Sequence, residues 1–171
     1  MSVKKNTPAS AVALGGILAA AALVVMGLGG MIPIATYVCP MICMLELKAV
    51  LKLCGTRMAW AWYGAVALLS LLIGPDKEAA AVFVFLGYYP IVKPWMDRQK
   101  LPWLWKGLLF NGSMVILYWM LLHLFGMAAL AEEFSEFNGW MLVVLLILGN
   151  ITFYLLDFVL SMRLVRRRKR K

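Results

Sequence analysis

Three acidic residues, Glu46, Asp97 and Asp157, stand within or beside long apolar stretches of the sequence. A carboxylate in such a stretch is costly to hold unless it meets a cation, water or a ligand. Asp97 falls in a basic segment and reads as a solvated charge. Glu46 has no cation three or four residues along its own helix, since Lys48 and Lys52 lie elsewhere on the turn, so its partner comes from another helix or from water. Asp157 precedes Arg163 by more than one turn and faces the same choice. For both, an ion pair with a neighbouring helix stands beside a functional role. Asn150 and Thr152 occupy the middle of the last apolar run, where an amide binds a solute, a water or another helix.

The segment Gly87-Tyr88-Tyr89-Pro90-Ile91-Val92-Lys93 is the most unusual one. Pro90 removes an amide donor and frees the carbonyl of Leu86. Tyr88 and Tyr89 supply hydroxyls and flat faces beside it, either as the wall of a ligand pocket or as interfacial anchors of a kinked helix. Tyr37, Tyr118 and His123 are further candidate ligand-binding residues on the predicted outer side. Cys39 and Cys43 are four apart and share a helix face, but no second pair of ligands matches them, so these two and Cys54 read as small buried apolar residues. No metal site or cofactor is expected. The motifs of zinc hydrolases, serine hydrolases, P-loops and dinucleotide folds do not occur in the sequence, so no enzymatic activity is expected. Active transport would have to draw its energy from a partner or a gradient.

The elements that must position these residues follow from composition. The 171 residues are 64% hydrophobic, with a mean hydropathy of +0.86, well above the half-apolar content of soluble domains. So small a fold cannot hide that much apolar surface from water. The expected fold is an all-α membrane protein of a single domain, residues 1–171, with six transmembrane helices near 9–28, 33–53, 58–73, 79–95, 105–130 and 139–164. No charge falls between Ala9 and Leu45, a stretch too long for one span, and Gly27 to Gly30 followed by Pro33 divides it. The apolar run after Lys4 and Lys5 outlasts a cleavable signal, so it reads as a first membrane helix.

Charge distribution tests the count. With the N-terminus inside, sixteen of the seventeen basic residues fall on inner ends and loops, and Lys77 alone falls outside. Five of the eight acids, Asp76, Glu78, Glu132, Glu133 and Glu136, fall outside. Both termini are therefore expected in the cytoplasm of a bacterial cell, with residues 165–171 a basic tail against anionic lipid. That tail lacks the folded or aromatic-interleaved surface that nucleic-acid binding needs. Trp60, Trp62, Trp95, Trp103, Trp105 and Trp140 lie near predicted helix ends, as an aromatic belt would.

The first helix is rich in small residues. Ala9, Ala13, Gly15, Gly16, Ala19 and Ala20 form pairs at helical spacing, which lets a second helix approach closely. Size, helix count, cytoplasmic ends and this small-xxx-small pattern together resemble the substrate-binding (S) component of an energy-coupling-factor transporter. In Ala9 and Ala13 the Ala-x-x-x-Ala pattern is literal; Gly15 with Ala19 and Gly16 with Ala20 match it only in size. The resemblance implies that this face meets a transmembrane coupling subunit that works with ATPases. It also implies a small-molecule solute, a vitamin or metal ion, bound from outside under the loop Gly29 to Tyr37. A second resemblance, in size and helix count, is to the rod-shape-determining MreD proteins of the cell envelope, which implies a non-transporting scaffold or assembly factor.

Overall fold

In a computed structural model the chain is described over residues 8–29, 35–123 and 139–168, and these are helical apart from short turns. The helices group into two compact units, Met1–Arg98 and Gln99–Lys171, where the sequence reading treats the chain as one domain. Among the described residues, five segments are long and apolar enough to cross a membrane: Ala9–Leu28, Thr56–Ile73, Lys77–Met96, Pro102–Leu121 and Val143–Met162.

The first unit contains α1 (Pro8–Leu28), α2 (Ala35–Cys54), α3 (Thr56–Ile73), α4 (Lys77–Leu86) and α5 (Tyr89–Met96). Helix α2 is its centre, packing against each of the other four. It is 20 residues long but carries Glu46, Lys48 and Lys52 in its second half. Two weak thiol hydrogen bonds fix its register on α1. Cys43 Sγ donates to the Ala22 carbonyl at 3.6 Å and Cys54 Sγ to the Ala11 carbonyl at 3.5 Å. The same number of residues separates the two contacts on each helix, so α1 and α2 run antiparallel in step.

Local chemistry ends each helix. Gly55 alone links α2 to α3, at a φ of 89° that a side chain would resist. Gly74 N–H bonds back to the Ser70 carbonyl, and Pro75 then prevents further helix. Asp76 caps α4, its Oδ1 accepting from Ala79 N–H at 2.9 Å. The expected single helix over 79–95 is broken into α4 and α5 at Gly87 and Tyr88. Both residues keep right-handed backbone angles; the interruption arises because Pro90 has no N–H for the next helical bond. Ile91 N–H instead bonds the Tyr88 carbonyl at 2.9 Å.

The second unit contains α6 (Pro102–His123) and α7 (Gly139–Arg168). Helix α6 starts three residues before the expected Trp105, with Pro102 at its first position, where a missing N–H costs nothing. Residues 124–130 of the expected fifth span lie outside the described residues. So do Gly30–Ile34, the acidic loop Ala131–Asn138, Lys4, Lys5 and the tail from Lys169. Helix α7 continues through Arg168 rather than stopping at Leu164. Trp60, Trp95, Trp103, Trp105 and Trp140 are exposed on their helices, whereas Trp62 is buried. Residues two apart on a helix point to nearly opposite sides, so Trp60 and Trp62 cannot share one belt.

Candidate functional site

The six small residues of α1 do not lie on one face. Ala9, Ala13, Gly16 and Ala20 are exposed, Ala19 is intermediate and Gly15 is buried. The exposed four are spaced by four, three and four residues, a continuous row along one side of the helix. A Cβ on Gly16 would meet nothing within 4 Å, whereas one on Gly15 would touch the Met58 side chain at 3.8 Å. Ala22 and Met26 continue the buried side. The inward side of α1 thus packs on its own unit, while a second row of small residues remains uncovered. Sequence alone gives no hint of this division, because the helix is apolar or small all round.

At the far end of α1 three segments meet. Thr36 Oγ1 donates to Asp76 Oδ2 at 2.7 Å, and Tyr37 OH donates to Glu78 Oε1 at 2.9 Å. A Cβ on Gly29 would lie 3.5 Å from the Asp76 carboxylate. Lys77 Nζ donates to the Leu71 carbonyl at 2.8 Å, neutralising the negative end of α3. The start of α2 and the start of α4 are therefore tied through two acid–hydroxyl pairs. Tyr37 is a candidate that the sequence singles out; Thr36, its companion, is one that sequence reading missed.

Tyr88 and Tyr89 part company at the break. The Tyr88 ring meets Tyr63 edge-on at 6.1 Å, and Tyr63 meets Phe83 at 5.7 Å. Tyr63 OH donates to the Val84 carbonyl. Tyr89 is fully buried, with the Lys93 ammonium 5.9 Å from its ring centre. Lys93, 4% exposed, lies 3.6 Å from Asp97 Oδ2, so Asp97 does not stand alone in a basic loop. Glu46 Oε2 and Trp62 Nε1 are buried polar atoms with no hydrogen-bond partner among the described residues.

In the second unit Asn150 meets Asn111. Each amide nitrogen donates to the other's side-chain oxygen at 3.0 Å. Each nitrogen also donates to the carbonyl four residues back, Gly107 for Asn111 and Leu146 for Asn150. Both donor hydrogens of each amide are thereby used. Asp157 pairs with Lys106 at 2.9 Å, both side chains largely buried. Phe110 and Phe153 stack between the two polar pairs at 4.7 Å. Tyr154 OH donates to the Trp103 carbonyl at 3.0 Å and passes over Gly107, where a Cβ would stand 3.0 Å from the hydroxyl. His123 is exposed and stacked on Trp119 at 5.3 Å. Tyr118 is intermediate in exposure on α6. The six ligand-binding candidates thus divide, with Tyr37, Tyr88 and Tyr89 in the first unit and Asn150, Tyr118 and His123 in the second.

All three cysteines are free thiols. No group of three or more His, Cys, Asp or Glu side chains is placed to hold a metal among the described residues. No protein-family model, curated protein or solved structure matches the chain.

Proposed function

We propose that this chain is a membrane-embedded solute-binding subunit of a multicomponent uptake transporter, similar to an S component, and that it docks on a coupling subunit through α1. The observation that carries the reading is the uncovered row Ala9, Ala13, Gly16 and Ala20. In a bilayer, apolar contact between helices gains nothing over contact with lipid, so helices associate where small side chains let backbones come close. Six spans with both termini cytoplasmic complete the reading. Helix α2 is the sixth: it packs against the other four helices of the first unit, and Val38, Ile42, Leu45 and Leu53 leave it an exposed apolar side. The ties from Thr36 and Tyr37 to Asp76 and Glu78 would then lie at the outer surface, where acidic groups draw cationic solutes.

Purification of the protein from bacterial membranes in mild detergent, with mass spectrometry of retained proteins and small molecules, tests this reading. Co-purifying ATPases and a membrane coupling subunit, or a bound vitamin or metal, support it. The second reading, an envelope scaffold like MreD, draws on the second unit. There Asn150 and Asp157 are already engaged by Asn111 and Lys106, which suits a rigid hairpin as well as a carrier. Recovery of envelope-synthesis proteins, with neither ATPase nor ligand, would favour the scaffold.

A further inference from the structure

Helices α1 and α3 touch at one end and leave a crevice at the other. A Cβ on Gly15 would touch the Met58 side chain at 3.8 Å, whereas one on Gly27, further along α1, would meet nothing within 4 Å. At that second end lies a cavity of about 150 Å³, lined by Leu23, Met26 and Gly27 from α1 and by Leu69, Ser70 and Ile73 from α3. Its walls are apolar. Ser70, the one hydroxyl among them, donates to the Ala67 carbonyl of its own helix at 3.0 Å. Met26 and Ser70 are buried, whereas Ile73 is 75% exposed, so the cavity opens on the Ile73 side. An apolar cavity of about this size stays dry and takes apolar guests.

The turn Gly74-Pro75 belongs to the same lining, and a cation stands beside it. A continuing helix would bring the N–H of residue 75 to the Leu71 carbonyl, but Pro75 has none. Lys77 Nζ takes that place, donating to the Leu71 carbonyl at 2.8 Å. Lys77 is exposed. An ammonium has three donors, and this bond uses one of them. Asp76 and Glu78 flank Lys77 in the sequence.

We propose that this crevice holds one acyl chain of a phosphatidylethanolamine molecule, with its phosphate on Lys77. The order of features matches that of the lipid: apolar walls along the helices, then a cation at the end of α3. A lysine ammonium binds phosphate as a point charge. The flanking carboxylates decide between headgroups. With Asp76 and Glu78 on either side of Lys77, the local charge is negative, so a headgroup carrying only an anion is repelled. A zwitterionic headgroup sets its phosphate on Lys77 and its cation towards the two acids. Ethanolamine also has N–H groups to donate to a carboxylate, which the quaternary ammonium of choline lacks. The proposal rests on the reading of the chain as a membrane protein, and on neither the transporter nor the scaffold role.

The test is photolabelling of the full-length protein in lipid vesicles that contain a trace of phosphatidylethanolamine, phosphatidylcholine or phosphatidylglycerol with a diazirine on one acyl chain. Flotation of the protein with the vesicles checks the membrane reading separately. Mass spectrometry of the digested protein then locates the label. The ethanolamine probe is expected to label Leu23, Met26 and Ile73 more heavily than Val115 and Ile116, exposed apolar residues of α6 that serve as the background. The choline and glycerol probes label the crevice less. Gly27→Leu fills the crevice and brings its labelling down to that background. Lys77→Gln lowers it by about fivefold, the scale of one lysine at a lipid headgroup, and Lys77→Arg restores it. Crevice labelling no higher than background in protein that floats, equal labelling by the three probes, or undiminished labelling in both Gly27→Leu and Lys77→Gln would overturn the proposal.

Discussion

Asn111 and Asn150 face each other across α6 and α7 and exchange two amide hydrogen bonds at 3.0 Å each. Neither amide can be satisfied by lipid, so each depends on the other. Asn150→Leu should destabilise the protein by about 1–2 kcal/mol, the range of interhelical polar contacts in membranes. The Asn111→Leu/Asn150→Leu double variant should lose less than the sum of the singles, because it strands no amide. Thermal unfolding in detergent, arranged as a double-mutant cycle, measures the difference.

The Lys106–Asp157 pair gives a steeper contrast. Both side chains are mostly buried, at 9% and 15% exposure, so removing one partner leaves a charge in an apolar setting. Asp157→Leu alone should cost about 3–5 kcal/mol. Lys106→Met combined with Asp157→Leu should recover most of that loss. The unfolding midpoint and the yield of monodisperse protein report both outcomes.

Much of the fold was legible because uninterrupted apolar runs of bilayer length leave few alternatives. The ends of α1 and α3 fall within two residues of those expected from Gly, Pro and charge. Pro90 likewise marks the break between α4 and α5. The faces were not legible. Helix α1 is small or apolar on every side, so no periodicity separates buried Gly15 from exposed Gly16; that division comes from Met58 and from the register of Cys43 on Ala22. The partners of Asn150 and Asp157 lie on another helix, 39 and 51 residues away, beyond any local pattern.

Asp76 has two tasks, capping α4 and receiving Thr36. Asp76→Ala removes both and should cost about 1–2 kcal/mol, the upper range for loss of an N-cap. Thr36→Val removes only the second and should cost about 1 kcal/mol or less. Equal effects from the two substitutions, again by thermal unfolding, would show that the cap contributes nothing.

The proposed six spans with cytoplasmic ends would place Lys77 outside and Lys100 inside. On a cysteine-free background, Lys77→Cys should react with a membrane-impermeant maleimide in intact cells, and Lys100→Cys only after lysis. Labelling of both in intact cells would contradict the span count.

The docking face of α1 is the central claim, and Gly15 and Gly16 separate it from simple packing. Gly16 faces open space, whereas Gly15 faces Met58. The most direct measurement is co-purification of membrane partners with the Gly16→Trp variant, beside the wild type and a Gly15→Leu control. The account predicts that Gly16→Trp keeps wild-type thermal stability and loses the coupling subunit. Gly15→Leu should instead lose stability, by about 1–3 kcal/mol through overpacking. Full recovery of the same partners with Gly16→Trp would contradict the account.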